Sequence, residues 1–98
     1  MTIIAKLKVH AGKEAAFEAV AAEMVEYVKK NEPGTRTYIM HKSTADPTEY
    51  VFYEVYVDQA AAGAHSSSEQ MMKFFAATRA LLAGHPEIGM YEEVMGKK

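Results

Sequence analysis

The chain has 98 residues, of which 49% are hydrophobic, and a formal net charge of −2. This length predicts one domain over residues 1–98, with a core small enough that a second subunit would add useful burial. The sequence has no cysteine, which excludes thiol catalysis, disulfides and cysteine-ligated metals, and its interspersed charges argue against a nucleic-acid partner.

The first three predicted elements alternate between the two hydrophobic periods. Residues 2–10 alternate apolar and polar side chains, which predicts a half-buried strand. Residues 13–31 repeat apolar side chains at steps of three and four, with acidic residues early and lysines late, which predicts an amphipathic helix. Pro33 and Gly34 end this helix, and residues 35–43 predict a second strand.

The second half of the chain predicts two further strands and two helices. In order they are a strand at 49–57, a short helix from Gln59 to about His65, a long helix from Glu69 through Leu82, and a last strand at 87–95. Gly84 and Pro86 end the long helix. The order β-α-β-β-α-β predicts the α+β class, as a ferredoxin-like sandwich with a four-stranded antiparallel sheet and both long helices on one face.

The strand at 49–57 is apolar on both of its faces. One face carries Val51, Tyr53, Val55 and Val57, and the other carries Tyr50, Phe52, Glu54 and Tyr56. Such a strand is expected to be covered on both sides, and the helices can cover only one. A second copy of the sheet is the favoured cover for the other, which predicts a face-to-face homodimer. A ligand or a different protein on that face is the alternative.

Several short motifs stand in a fixed order along this topology. They are Glu32-Pro33-Gly34, Tyr38, Asp46-Pro47, the strand sequence Phe52-Tyr53-Glu54-Val55-Tyr56, Asp58, and His65 followed by serines. Together they resemble the antibiotic biosynthesis monooxygenase family. The resemblance implies a dimeric α+β barrel, with a pocket in each subunit between the sheet and the helices.

The family that the chain resembles includes several kinds of enzyme. Its members include cofactor-free oxygenases of aromatic polyketides, quinol monooxygenases, haem-degrading oxygenases and an isomerase of a sugar-derived signal, so the fold leaves the reaction open. The chain has no tryptophan, which members of the oxygenase and haem-degrading branches often use. Its only asparagine, Asn31, is predicted at a helix end, which argues further against haem degradation.

His65 and Glu54 are the candidate catalytic residues. An imidazole exchanges protons near neutral pH, so His65 is predicted to be a general base, although a purely structural histidine is the alternative. A carboxylate within an apolar strand should have a raised pKa unless it is paired. Glu54 is predicted to orient His65 or to accept a substrate proton itself. A structural ion pair of Glu54 with Arg36, Lys6 or Arg79 is the alternative.

Aromatic and methionine side chains complete the predicted binding site. The residues predicted to contact a small aromatic or quinol-like ligand are Tyr38, Phe52, Tyr56, Met72 and Phe75. Tyrosine hydroxyls can bind polar groups of a ligand, while methionine and phenylalanine can form an adaptable apolar roof. Packing in the core or at a subunit interface is the alternative for each. The histidines lack the spacing of a metal site, and no glycine motif for a nucleotide occurs, so neither metal nor cofactor is predicted.

The favoured functional hypothesis is a cofactor-independent monooxygenase that oxidises a phenolic or hydroquinone-type small molecule with O₂. The alternatives are a non-catalytic dimeric module that binds a small molecule and an isomerase of a small oxygenated metabolite. The sequence shows neither a signal-peptide pattern nor an apolar run of roughly 18 residues. A cytoplasmic protein without a membrane partner is therefore expected.

Overall fold

Four strands form one antiparallel sheet in the computed structural model, which describes all 98 residues of the chain. The strands are β1 (Thr2–Lys8), β2 (Thr35–Lys42), β3 (Glu49–Tyr56) and β4 (Glu87–Tyr91). Their order across the sheet is β2-β3-β1-β4, and every neighbouring pair is antiparallel. The predicted α+β class and ferredoxin-like topology are confirmed.

Three helices accompany the sheet, and side-chain caps fix where two of them begin. The helices are α1 (Glu14–Asn31), α2 (Gln59–Ser66) and α3 (Glu69–Thr78). The Asp58 carboxylate accepts a hydrogen bond from the Ala61 backbone N–H, and the Ser68 hydroxyl accepts one from the Met71 N–H. Each cap satisfies a backbone donor that the first helical turn leaves free. None of the helices has the length and apolar character needed to cross a bilayer.

The main core lies between the sheet and the helices α1 and α3. Phe17 of α1 is fully buried, with its ring centroid 4.8 Å from that of Tyr50 on β3 and 6.0 Å from that of Phe74 on α3. Side chains of this kind each contribute about 1.5–3 kcal/mol on burial. The aromatic contacts therefore join both helices to the middle of the sheet.

The register of β3 decides which of its side chains face the helices. Glu54 lies opposite Ile3 of β1 and Tyr38 of β2, on the buried face, while Tyr53 points to the other side. That other face, hereafter the outer sheet face, leaves Ile39 52% and Tyr53 38% exposed in the single chain.

Two predicted boundaries were wrong. The long helix ends at Thr78 instead of continuing through Leu82, because the backbone that follows turns to pair with the end of β1. Leu82 bridges Val9 in that pairing. The last strand ends at Tyr91 rather than at 95, because its pairing with β1 ends there and residues 92–98 have no neighbouring strand.

Candidate active site

His65 is buried in the last turn of α2. Only 3% of its side chain is exposed. The Asp58 cap fixes the start of the helix, and Ala62 and His65 are its two buried residues. They lie three positions apart, so they share the helix face that packs on the sheet. This places the imidazole between α2 and the aromatic rings of β2 and β3.

Glu32 contacts the Nδ1 atom of His65. The distance from Nδ1 to Oε1 is 2.9 Å and that to Oε2 is 3.2 Å, and only 9% of the Glu32 side chain is exposed. The Thr35 hydroxyl donates a second hydrogen bond to Oε1 at 2.7 Å. Sequence reasoning included Glu32 in a motif but gave it no role. The available signal was an acidic residue directly before Pro-Gly at a helix end.

Glu54 lies on the other side of the ring. Its Oε1 is 3.9 Å from Nε2 of His65, beyond hydrogen-bond distance, and accepts a hydrogen bond from the Tyr56 hydroxyl at 2.6 Å. The prediction that Glu54 orients His65 is therefore corrected, because Glu32 makes that contact. Burial raises the pKa of Glu54; the Tyr56 hydrogen bond and His65 oppose this rise, and Glu32 adds to it.

Arg36, Lys6 and Arg79 form no ion pair with Glu54, and the basic side chain nearest to Glu54 is His65. All three of these basic residues are exposed to water instead. The structural ion pair that was the alternative interpretation of Glu54 is absent.

The Nε2 atom of His65 is buried and has no hydrogen-bond partner. An unsatisfied polar group of this kind costs about 1–3 kcal/mol. A ligand hydroxyl placed beside Nε2 would remove that cost. The hydrogen-bonding capacity of this buried atom is therefore not used within the chain.

His65 and Glu54 form the polar end of an apolar cavity of about 260 Å³. Ten of its fourteen lining residues are hydrophobic, and they come from the sheet and from α3. Ile88 and Met90 of β4 line one side and are themselves 58% and 69% exposed, so the cavity opens towards this edge of the sheet. Pockets with apolar walls and a few convergent polar groups are typical of small-molecule sites.

Three of the five predicted ligand-contacting residues line this cavity, namely Tyr38, Phe52 and Phe75. Tyr56 does not line it, and its hydroxyl instead donates a hydrogen bond to the Glu54 carboxylate. Met72 is 65% exposed and points away from it, whereas Met71 lines it. Successive residues of a helix point about 100° apart, so the sequence pattern chose the wrong one of two adjacent methionines.

Two tyrosine rings lie beside His65, and of their hydroxyls only that of Tyr56 donates a hydrogen bond, to Glu54. Ring centroids of Tyr38 and Tyr56 lie 5.0 Å and 5.5 Å from that of His65. Burial raises the pKa of Tyr38, and the carboxylates of Glu54 and Glu32 raise it further. Burial and the hydrogen bond to Glu54 raise the pKa of Tyr56 in the same way. Both phenol groups therefore stay neutral and protonated.

The residues present offer no site for a metal ion, since no three histidine, aspartate or glutamate side chains are grouped to hold one. What the fold and the site define is a class: small ferredoxin-like proteins in which a sheet and helices enclose an apolar pocket with an acid–base cluster at one end. Such a cluster can accept a proton from a bound hydroxyl and can hold the resulting anion through neighbouring donors.

The comparisons with known proteins give the family. Residues 1–77 match the family described as antibiotic biosynthesis monooxygenase, and the chain belongs to that family. A crystal structure from Caulobacter crescentus, provisionally named an antibiotic biosynthesis monooxygenase, is 31% identical, with a TM-score of 0.91 over 96% of this chain and 89% of that one.

Two further solved structures share the fold. A protein from Nitrosomonas europaea with the same provisional name is 24% identical, with a TM-score of 0.90 over 95% of this chain and 88% of that one. The protein PA3566 from Pseudomonas aeruginosa is 26% identical, with a TM-score of 0.82 over 95% and 93% of the two chains. Among curated proteins, none matches the chain significantly.

Proposed function

We propose that this protein is a monooxygenase that oxidises a phenolic or hydroquinone-type small molecule with O₂ and needs no cofactor. The observation that carries the proposal is the buried, unpartnered Nε2 of His65 at the polar end of an apolar cavity. Membership of the antibiotic biosynthesis monooxygenase family supports the same reaction class.

The chemistry of the cavity favours a neutral aromatic ligand with one hydroxyl at the polar end. Its walls offer rings and aliphatic side chains, against which a flat ring can pack. Glu32 and Glu54 stand on either side of His65 and disfavour a ligand that arrives as an anion, such as a carboxylate or phosphate. A phenolate formed at this position differs, because it lies beside the imidazolium that has taken its proton. A volume of about 260 Å³ suits a ligand of one or two rings.

In the proposed reaction, Nε2 of His65 removes the proton of the ligand hydroxyl. The phenolate transfers one electron to O₂, and the ring radical and superoxide combine to form a carbon–oxygen bond at a ring carbon that carries hydrogen. Loss of that hydrogen as a proton and cleavage of the O–O bond leave one oxygen atom on the ring and release the other as water. The protein contributes the base, the Tyr38 donor and a site from which water is largely excluded.

The test is oxygen uptake with a panel of naphthols and hydroquinones, comparing wild type with His65→Ala. General-base catalysis contributes about 10²–10⁴-fold, so the variant should lose activity by that factor. His10→Ala is the matched control, because His10 is exposed at the end of β1 and lies outside the cavity. Equal rates in wild type and His65→Ala would remove His65 from the mechanism.

Ligand binding without turnover has a distinct signature. Thermal stabilisation of wild type by panel compounds, with neither oxygen uptake nor product, would assign the chain to the alternative class of non-catalytic binding modules. Conversion of a ligand to an isomer of equal mass would assign an isomerase. Mass spectrometry of the reaction mixture separates these outcomes.

We further propose that the protein works as a homodimer joined through the outer sheet face. The support is the exposure of Ile39, Tyr53 and Tyr91 in the single chain. Closed two-fold pairing is the commonest way for a protein to cover such a surface.

A further inference from the structure

The segment that connects α1 to β2 lies directly against His65. Its first residue, Glu32, closes α1, and its backbone N–H donates to the Val28 carbonyl at 3.1 Å. Because Thr35 also bonds to the Glu32 carboxylate, that side chain is held from two directions as it meets Nδ1. The carboxylate therefore occupies one fixed position relative to the imidazole.

The contact with Glu32 determines which ring nitrogen carries the proton. An ionised carboxylate can only accept hydrogen bonds, so the Nδ1 atom 2.9 Å away must be the donor. A neutral imidazole protonated at Nδ1 has its lone pair at Nε2. Nε2 is the ring nitrogen that has no hydrogen-bond partner, and His65 is one of the residues that line the cavity.

Gly34 controls how closely α2 approaches this segment. A Cβ atom at Gly34 would lie 2.7 Å from the Ala61 Cβ, whereas carbon atoms in contact prefer about 3.5–4.0 Å. Gly34 has no positive φ, so space and not backbone conformation requires glycine there. Ala61 lies one helical turn before His65, and its methyl group is fixed to the helix backbone and cannot swing aside.

We propose that the Glu32-Pro33-Gly34 segment is a positioning device for His65. Glu32 fixes the proton at Nδ1 and leaves Nε2 as the acceptor, and Gly34 lets α2 pack closely enough for the contact with Glu32 to form. The role of Nε2 as the base rests on the proposed function. The tautomer of His65 and its dependence on the Glu32-Pro33-Gly34 segment are independent of the proposed function.

The first test is ¹⁵N NMR of the His65 ring in labelled protein, at a pH where the ring is neutral. Wild type should show one tautomer, with Nδ1 protonated and Nε2 bare. Glu32→Gln should populate both tautomers, because an amide can either donate to Nδ1 or accept from it. Glu26→Gln, an exposed substitution on the same helix, should leave the ring unchanged. An Nε2-protonated ring in wild type, or an unaltered ring in Glu32→Gln, overturns the proposal.

The second test concerns packing. Gly34→Ala should either prevent folding or weaken the contact between Glu32 and Nδ1, so that both tautomers are populated. Gly34→Ala combined with Ala61→Gly should restore the wild-type ring signals. Ala61→Gly alone controls for the loss of helix propensity and should keep the wild-type tautomer. Wild-type signals in Gly34→Ala, or their absence in a folded double variant, contradict the role of Gly34.

Oxygen uptake by the same variants separates this inference from the proposed function. Glu32→Gln should lower kcat by about two- to tenfold with little change in KM, since the base remains but a part of the population carries its proton on Nε2 and cannot accept another there. If wild type consumes no oxygen while the NMR results hold, the oxidation fails and the positioning role stands. If wild type is active and Glu32→Gln matches it in both rate and tautomer, the positioning role fails alone.

Discussion

Glu54 is a carboxylate in a position where its charge is costly. Its side chain is 7% exposed, and the groups that can stabilise the ionised form are the Tyr56 hydroxyl and the more distant His65. Burial outweighs them and raises its pKa. The folded protein therefore binds the Glu54 proton more tightly than the unfolded chain does, and it loses stability when the proton leaves.

The pH dependence of stability should reveal this residue through Glu54→Gln. Wild type should lose stability relative to the variant as pH rises from the usual carboxyl pKa of 4.5 through the raised value in the folded protein, and the difference should level off above it. The amide can still accept the Tyr56 hydrogen bond, so the change isolates the charge. Each tenfold difference between the proton-binding constants of the two states corresponds to about 1.4 kcal/mol.

Urea unfolding at a series of pH values measures the difference between wild type and Glu54→Gln. Glu26→Gln is the control, because Glu26 forms only an exposed ion pair with Lys29 and should show no such trend. A difference that stays constant across the whole pH range would show that Glu54 does not titrate differently in the folded protein.

At the scale of elements, a polar contact joins the N-terminal part of α1 to the sheet. The Tyr50 hydroxyl of β3 donates to Glu18 of α1 at 2.6 Å, and Lys42 of β2 contacts the same carboxylate oxygen at 2.8 Å. Burial raises the pKa of Tyr50, so its hydroxyl stays a donor. The ring lies in the core while the hydroxyl reaches the half-exposed carboxylate at the edge of α1.

Tyr50→Phe should lower the free energy of unfolding by about 1 kcal/mol. Hydrogen bonds to charged groups contribute more than this when buried, but partial exposure of Glu18 reduces the effect. Urea unfolding provides the measurement. Tyr27→Phe is the matched control, since the Tyr27 hydroxyl makes no hydrogen bond within the chain and its removal should cost little. Equal losses in the two variants would contradict the prediction.

The period of the hydrophobic residues was sufficient to predict the helices and strands, but not the contacts between residues that are distant in the sequence. It gave the order of the elements along the chain and the two side-chain faces of β3, but not which of those faces the helices cover. It extended α3 through Leu82 because an apolar residue that pairs with a strand cannot be told from one on a helix by spacing alone. Glu32 was missed as a partner of His65 because the two are 33 positions apart and meet only through the packing of α2 on the sheet.

At the scale of the whole molecule, the outer sheet face carries a continuous apolar row. Ile39 of β2 pairs with Tyr53 of β3, which pairs with Ile4 of β1. Ile39 and Tyr53 are 52% and 38% exposed in the single chain. Exposed apolar residues that are joined across three strands mark an interaction surface more strongly than scattered ones do.

We expect the wild-type protein to have twice the 10.9 kDa mass of one chain in sedimentation equilibrium at micromolar concentration. Ile39→Glu should shift it to the monomer, because two-fold pairing would place two buried carboxylates in one interface. Met72→Glu is the matched control, since Met72 is an exposed apolar residue on the opposite, helical side and its replacement should leave the dimer intact. A wild type that is monomeric at all concentrations would mean that the outer sheet face binds a different partner. Equal dissociation of the dimer by both variants would mean that the dimer forms through another surface.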